Sequence, residues 1–405
     1  MRTVNEHRAA ALALAAPLEA IELPLAEAAG HVLARDVCAD GPLPPWDNSA
    51  MDGYAVRAAD VSAAVPDGPV RLRVIADLAA GSAATPVVGP GEAARIMTGA
   101  PMPPGADAVV PVEQTDAATD VVAIGAPARV GAHVRRVGED AAAGNVVLAA
   151  GALLAERRVG ALAAAGAGTV TAHRRPRVLV LATGSELVAP GEPRARGQIP
   201  DSNSFLLAAA VTAAGCEAVR LPPVPDDAAR LREVLAAHEA DVDAVITAGG
   251  VSVGAYDVVK EALTGWGDVA FVAVAMQPGK PQGLGRLPGG TPVFCLPGNP
   301  VSVFVSFEVL VRPALLRMRG LTAVDRPTVP ATVEDGWRTP PGRAQYMPVA
   351  LRDEGGAWRV RRAVPGGSGS HLAAGLAAAD GLAVVPLDTS EVRSGDLLTV
   401  MRCEP

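Results

Sequence analysis

Aromatic side chains make up only 3% of this sequence of 405 residues. Proteins that read nucleic acids by stacking need aromatic platforms, so that function class loses support. An excess of cationic residues is missing too. The 35 lysines and arginines are outnumbered by 43 aspartates and glutamates, for a formal net charge of −8. Broad binding along a phosphate backbone is therefore disfavoured, while a local anion site stays compatible. Cysteine is scarce and scattered: Cys38, Cys216, Cys295 and Cys403 form no C-x-x-C pair and no Cys/His cluster of zinc spacing. Free, buried thiols in a reducing cytoplasm are expected. Long apolar runs are absent as well. Ala9 to Ala16 is stopped by Pro17 after eight residues, too short for a bilayer. Glu6 and His7 before it, and the lack of a cleavage site after it, fit a signal peptide poorly. A soluble cytoplasmic protein with no membrane or nucleic-acid partner is expected.

What is present points to several domains. The length exceeds one ordinary core, and half the residues are apolar. Residues 1 to about 40 read as helical, with turn signals at Pro24 and Gly30, until Gly41-Pro-Leu-Pro-Pro45 breaks the pattern. From Trp46 to about Val147, short β-branched runs alternate with Gly/Pro turns: Val70–Ile75, Ala93–Met97, Ala108–Val112 and Val121–Ile124. Ala152–Ala165 has helical length and ends at Gly166. From Val178 onward, strands and helices alternate. The strands are Val178–Ala182, Ala218–Leu221, Ala244–Ala248, Val269–Val274 and Val293–Leu296. The helices are Phe205–Ala214, Asp226–Ala240, Tyr256–Leu263 and Pro300–Arg319. That alternation predicts a doubly wound, mainly parallel sheet with helices on both faces. Val329–Val400 has short β runs and no long helix, which predicts a small β domain or barrel. The expected fold is thus multidomain α/β plus β: a β-rich N-terminal region over residues 1–170, an α/β domain over 171–322 and a C-terminal β domain over 323–405.

Open parallel sheets bind ligands beyond the carboxyl ends of their strands. The segments expected there are Thr183-Gly-Ser-Glu186, Gly249-Gly-Val-Ser-Val-Gly254 with Asp257, Gln277-Pro-Gly-Lys-Pro281, and Pro297-Gly-Asn-Pro300 with Ser302. Their glycines, hydroxyls and single lysine, Lys280, suit a phosphate or another oxyanion. Asn299 as N-cap before Pro300 adds the free amides of a helix start. Singly, each segment reads as an ordinary turn; it is their convergence on one rim that points to a site. Neither a P-loop nor a G-x-G-x-x-G fingerprint is present, which argues against ATPase and dinucleotide readings. Glu186 and Asp257 would repel an anion unless a hard cation lies between, and Mg²⁺ held by one or two carboxylates plus phosphate resolves that conflict. For either acid the plain alternative is a helix N-terminal charge. For Asp226, helix capping alone is a sufficient account. Asp52-Gly53 reads alone as a hairpin turn, and the segments holding Thr98 and Asp140 read alone as strand-end turns.

Taken in order, these segments resemble the MoeA/gephyrin E-domain molybdopterin molybdenumtransferases. The resemblance rests on Asp47-Asn-Ser-Ala-Met-Asp-Gly-Tyr-Ala55, Ile96-Met-Thr-Gly-Ala100, Gly138-Glu-Asp140, Thr183-Gly-Ser-Glu-Leu187 and Gly197-Gln-Ile-Pro-Asp-Ser-Asn203. Gly249-Gly-Val-Ser-Val-Gly254, Pro278-Gly-Lys-Pro281 and Leu296-Pro-Gly-Asn-Pro-Val-Ser302 complete it. It implies a homodimer whose cleft joins the α/β domain of one subunit to the N-terminal β region of the other. It also implies an α/β domain like that of MogA-type adenylyltransferases. The implied reaction joins adenylylated molybdopterin and molybdate, giving molybdenum cofactor and AMP. Molybdopterin adenylyltransferase and molybdoenzymes are the implied transfer partners.

By the same resemblance, Asp52, Thr98, Asp140 and Glu186 are the catalytic candidates, and Glu186, Asp226 and Asp257 the candidates for Mg²⁺. Thr183, Gly184, Ser185, Gly249, Gly250, Ser252, Gly254, Pro278, Gly279, Lys280, Pro297, Gly298, Asn299 and Ser302 are expected to hold the substrate. Two departures stand out: Ala273 and Gln277 occupy positions where some members carry lysines. Pro348 stands where members often have a basic residue, with Arg343 nearby as a substitute. Ser368 to His371 resembles a further cleft segment. An adenylyltransferase is the first rival, but it typically lacks the flanking regions 1–170 and 325–405. A non-catalytic scaffold is the second, and nothing here resembles a partner-binding extension.

Overall fold

The computed structural model describes residues 1–251, 257–364 and 371–403. Ser252, Gly254 and Tyr256 lie outside the described residues, as do residues 368–370.

The α/β domain follows the alternation of the sequence closely. Its six-stranded sheet runs in the order Glu217–Arg220, Arg177–Ala182, Ala244–Ala248, Pro292–Leu296, Pro281–Arg286, Asp268–Ala273. The first four strands are parallel. Arg177–Ala182, Ala244–Ala248 and Pro292–Leu296 are almost wholly buried, as strands covered on both faces must be. One face packs against helix Asn203–Ala213 and the continuous helical stretch Pro300–Met318, whose middle turn, Phe307–Val311, widens to π geometry. The other face packs against helices Ala228–His238 and Val258–Leu263.

The sequence pattern missed one strand. Pro281–Arg286 runs antiparallel between its neighbours. It carries two glycines and no β-branched residue, so nothing in it advertises a strand. The glycines are a packing requirement. A Cβ at Gly283 would lie 2.6 Å from the Phe271 ring, and one at Gly285 would lie 1.9 Å from the Asp268 carbonyl oxygen. Because this strand turns back, Asp268–Ala273 stays aligned with the parallel set. Its exit and the entry to Pro281 therefore fall on the same rim as the other carboxyl ends.

The first 40 residues are less helical than their alanine content predicts. Val4–Leu14 is their one α-helix, opened by a Thr3/Glu6 capping box, and Leu25–Glu27 adds a single 3-10 turn. Its Ala11 sits in the core of the α/β domain beside Phe307 and Val311. Ala20–Pro24 and Val32–Leu33 are strands that flank Thr169–His173 in one sheet. Their pairing partner lies about 150 residues away, so no local signal announces it. The predicted helix Ala152–Ala165 is confined to Glu156–Ala164.

Residues 53–124 build a five-stranded sheet in the order Ala108–Pro111, Gly53–Val56, Glu92–Ile96, Val70–Leu78, Val121–Ile124. Gly53 therefore opens an interior strand and is not part of a hairpin turn. A side chain there would strike the Val110 carbonyl oxygen at 2.0 Å. The C-terminal strands Thr328–Val333, Ala344–Glu354, Ala357–Arg362, Gly381–Val385 and Leu397–Arg402 close on themselves through the pairing of Ala344–Glu354 with Gly381–Val385, forming a small barrel. Met276–Gln277 adds to this barrel by pairing with Ala344–Gln345, so the rim loop before Lys280 is tied to it.

No described helix is long and apolar enough to cross a membrane. None of the four cysteines forms a disulfide among the described residues. Cys216 and Cys295 are buried as expected, whereas Cys38 is exposed and Cys403 half-buried. Burial pushes the Cys216 and Cys295 thiols up to about 12, which leaves them unreactive.

Candidate functional site

Two adjoining cavities occupy the carboxyl rim of the parallel sheet. The larger, about 570 Å³, is lined by Thr183, Gly184, Glu186, Asp226, Gly249, Gly250, Asp257, Gly298 and Asn299, among others. The smaller, about 270 Å³, is lined by the Gln277–Pro281 loop together with Gly250, Val251, Pro297, Gly298, Asn299 and Ser302. Gly250, Gly298 and Asn299 belong to both. The four loops expected to share one rim therefore do so.

Glycine lets the backbone approach closely here. Gly249 has φ +104°, and a Cβ on it would lie 2.7 Å from the Thr183 carbonyl oxygen. A side chain at Gly184 would collide with the Glu186 carboxylate, 2.5 Å away. These two glycines allow adjacent strand ends to meet while keeping Glu186 at the cavity wall.

Asp226 departs from the capping role that would explain it. Helix Ala228–His238 is capped by Asp227, whose Oδ1 accepts from the Arg230 amide at 3.0 Å. Asp226 is therefore not the cap. It exchanges hydrogen bonds with Ser185: the Ser185 amide donates to Asp226 Oδ2 at 2.9 Å, and the Asp226 amide donates to Ser185 Oγ at 3.0 Å. Ser185 is exposed and serves to hold that carboxylate. Asp257 stands at the N-cap position of Val258–Leu263 but makes no capping bond, and its Oδ2 is buried with no partner among the described residues. Thr183 Oγ1 and Asn203 Oδ1 are likewise buried and unpartnered, and both residues line the larger cavity. Buried acceptors without donors are rare in folded proteins. Three such oxygens around one acidic cavity are placed to take a donor or cation from a ligand.

The described residues hold no preformed cluster of three or more metal-ligating side chains. That pattern is compatible with Mg²⁺, which keeps several waters and takes one or two carboxylates along with substrate phosphate. Among the described residues, none of Glu186, Asp226 and Asp257 forms an ion pair with a lysine or arginine.

The N-terminal candidates form a separate group. Asp52 Oδ1 accepts from both the amide and the hydroxyl of Thr98, each at 2.7 Å. These bonds, the amide bond first, hold the Asp52 carboxyl below the usual aspartate range. Asp47 nearby accepts from the Val137 amide at 2.8 Å and from Arg136 at 2.6 Å, tying down the segment that leads to Asp140. Trp46, Met51 and Val137 remain exposed around this group. None of Asp52, Thr98 and Asp140 lines either rim cavity within the one chain.

The barrel reaches the rim at two points. His371 lines the larger cavity. Arg343 Nη1 donates to Gln277 Oε1 at 2.9 Å. Because a guanidinium only donates, this bond fixes the carboxamide with its oxygen on Arg343 and leaves the Gln277 NH₂ as the free donor. Asn203, at the start of helix Asn203–Ala213, donates to the Gly298 carbonyl oxygen at 2.6 Å and ties that helix start to the Pro297–Pro300 loop, a role that its place in the sequence does not announce.

The fold and the cavities define a multidomain protein, an α/β domain flanked by β domains, with an acidic cleft on the carboxyl rim of its parallel sheet. Family models describe the same division. Residues 2–166 match the MoeA N-terminal region (domains I and II), 179–317 a probable molybdopterin-binding domain, and 330–402 the MoeA C-terminal region (domain IV). The chain is 46% identical to molybdopterin molybdenumtransferase 2 of Mycobacterium tuberculosis, over 99% of both chains. It is 37% identical to molybdopterin molybdenumtransferase 1 of the same organism, over 99% of this chain and 98% of that one. A crystal structure of the molybdopterin biosynthesis MoeA protein from Pyrococcus horikoshii superposes with a TM-score of 0.83 at 31% identity, covering 99% of this chain and 98% of that one. The chain belongs to the MoeA family of molybdopterin molybdenumtransferases.

Proposed function

We propose that this protein inserts molybdate into adenylylated molybdopterin, giving molybdenum cofactor and AMP. The observation that carries the reading is the acidic rim cavity with its unpartnered Asp257 Oδ2, found in a chain that matches named molybdenumtransferases from end to end. In this reading, the glycine-rich turns at Thr183, Gly249 and Gly298 take the nucleotide phosphate. Glu186, Asp226 and Asp257 would hold Mg²⁺, whose charge would offset that of the phosphoanhydride. Lys280 and the amides around Asn299 stabilise the oxyanions. The Asn299 side chain makes no capping bond, which supports leaving the first amides of the following helix to a ligand.

A homodimer belongs to the same proposal. Asp52, Thr98 and Asp140 sit outside the rim cavities of their own chain, beside exposed Trp46 and Met51. Placing this group over the cleft of a partner gives the acids and the apolar side chains one purpose. The proposed units are the N-terminal β region over 1–170, the α/β domain over 171–322 and the barrel domain over 323–405. Free thiols support a reducing, cytoplasmic setting.

The deciding experiment supplies purified protein with adenylylated molybdopterin, molybdate and Mg²⁺ and follows AMP. Release well above the uncatalysed rate is expected. Release at the background rate overturns the reading. Accumulation of adenylylated pterin from ATP and metal-free molybdopterin identifies an adenylyltransferase instead.

A further inference from the structure

Gln282 belongs to strand Pro281–Arg286, and nothing in its sequence context marks it as functional. It is polar, yet only 1% exposed. Both hydrogens of its amide group are engaged: Nε2 donates to the Gly279 carbonyl oxygen at 2.7 Å and to Ser306 Oγ at 2.8 Å. A carbonyl oxygen only accepts, so the nitrogen of the carboxamide must face Gly279. Ser306 is fully buried and closes helix Pro300–Ser306, one turn beyond Ser302. Gly279 and Ser302 line the smaller rim cavity from different sides, one on the Gln277–Pro281 loop and the other on the helix. Gln282 therefore ties one wall of that cavity to the other from within the core.

Gly279 leaves room for the tie. Its φ is +102°, and a Cβ there would lie 2.9 Å from Ser306 Oγ and 3.2 Å from Met276 Cε. An aliphatic side chain at position 282 would fill the same space with a smaller desolvation cost. The carboxamide is accounted for by what it holds, which is the direction of one peptide unit. The bond between Gly279 and Lys280 is trans, and a trans peptide points its C=O and its N–H in opposite directions. Drawing the Gly279 carbonyl inward turns the Lys280 N–H outward, on the side where both residues line the cavity. That amide donates to no group among the described residues. Turned the other way, the same peptide would present an oxygen, and a donor wall would become an acceptor wall.

We propose that Gln282 and Ser306 are positioning residues that hold the Gly279–Lys280 peptide with its amide toward the smaller cavity. Neither side chain touches substrate; both act through the peptide. The adjoining larger cavity carries the unpartnered oxygens of Asp257, Thr183 and Asn203. A donor fixed on the opposite wall gives the cleft two faces of unlike polarity, so a substrate with acceptors at one end and donors at the other enters one way round. This assignment rests on the proposed insertion reaction only for the turnover used to read it.

The test compares the full-length protein with Gln282→Met, which keeps the size and removes both donors, and with Ser306→Ala. Circular dichroism verifies that each variant is folded. In crystal structures, the Gly279 carbonyl should face the core in the parent protein and turn outward in Gln282→Met. In the AMP-release assay, kcat/KM should fall about tenfold to hundredfold in Gln282→Met, the range for a misplaced hydrogen bond to a charged group. Ser306→Ala should lose less, because Gln282 still reaches Gly279. The affinity for AMP, measured by calorimetry, should stay at the parent value in both, since the brace does not reach the turns assigned to the nucleotide phosphate. An inward carbonyl in Gln282→Met, unchanged turnover in that variant, or an equal loss of turnover and AMP affinity overturns the proposal. Absence of AMP release from the parent protein removes the insertion reaction instead, and a carbonyl turned outward in Gln282→Met then still establishes the brace.

Discussion

His7 shows how one side chain can make the fold sensitive to acid. It is buried on the first helix, and burial, helped by the nearby Arg2 charge, lowers its pKa from 6.5 to about 4. The folded state therefore holds His7 neutral, while the unfolded chain takes up a proton below about pH 6.5. The stability contributed by the neutral form is complete above that value and is lost as pH falls through about 4. The loss should be on the order of 2–3 kcal/mol. Thermal unfolding followed from pH 7 to pH 4 should show it, and His7→Gln should flatten the profile over that interval. At this scale the sequence was partly legible. Glu186, Asp226 and Asp257 stand out by their place after strands or before helices. Whether each is more than a cap depends on Asp227 taking the capping bond and on Asp257 Oδ2 having no partner, and both facts are tertiary.

Among the elements, the helical stretch Pro300–Met318 has the most to lose from one substitution. Glu308 lies in its π turn with a side chain only 3% exposed, and it accepts two bonds from Arg326, at 2.9 and 3.1 Å, on the segment leading to the barrel. Arg312 approaches within 4.0 Å on the same helix. Glu308→Ala would leave two half-buried guanidinium groups without a counter-charge, and such a loss costs about 3–5 kcal/mol. Urea denaturation should detect that decrease, with Glu308→Gln losing less because it keeps one acceptor. Elements with local periodicity, such as Ala244–Ala248 or Ala228–His238, were legible in the sequence. Those fixed by distant partners were not. Ala20–Pro24 looks helical until Thr169–His173 pairs with it, and Pro281–Arg286 looks like a glycine loop until Phe271 and Asp268 are seen to exclude side chains.

For the whole molecule, the separation of Asp52 from Glu186 yields a genetic test. If one subunit supplies Asp52 and its partner supplies Glu186, Asp52→Ala and Glu186→Ala should each lower AMP release by at least about a hundredfold. Mixing the two inactive variants under conditions of subunit exchange should restore roughly a quarter of the parent activity. Half of the dimers are then mixed, and each mixed dimer has one of its two clefts intact. A mixture as inactive as its components places both acids in the cleft of a single chain.

The loop that carries Lys280 is held from two directions. Arg2, at the start of the chain, exchanges backbone hydrogen bonds with Ala273 and Ala275, at 2.9 and 2.8 Å. The barrel grips the same loop a step further on, through Met276–Gln277. It is strung like a hammock between two posts that lie more than 300 residues apart in sequence, the Arg2 segment and barrel strand Ala344–Glu354. Loosening either post slackens the same short span, so its course belongs to two distant parts of the chain and not to its own residues.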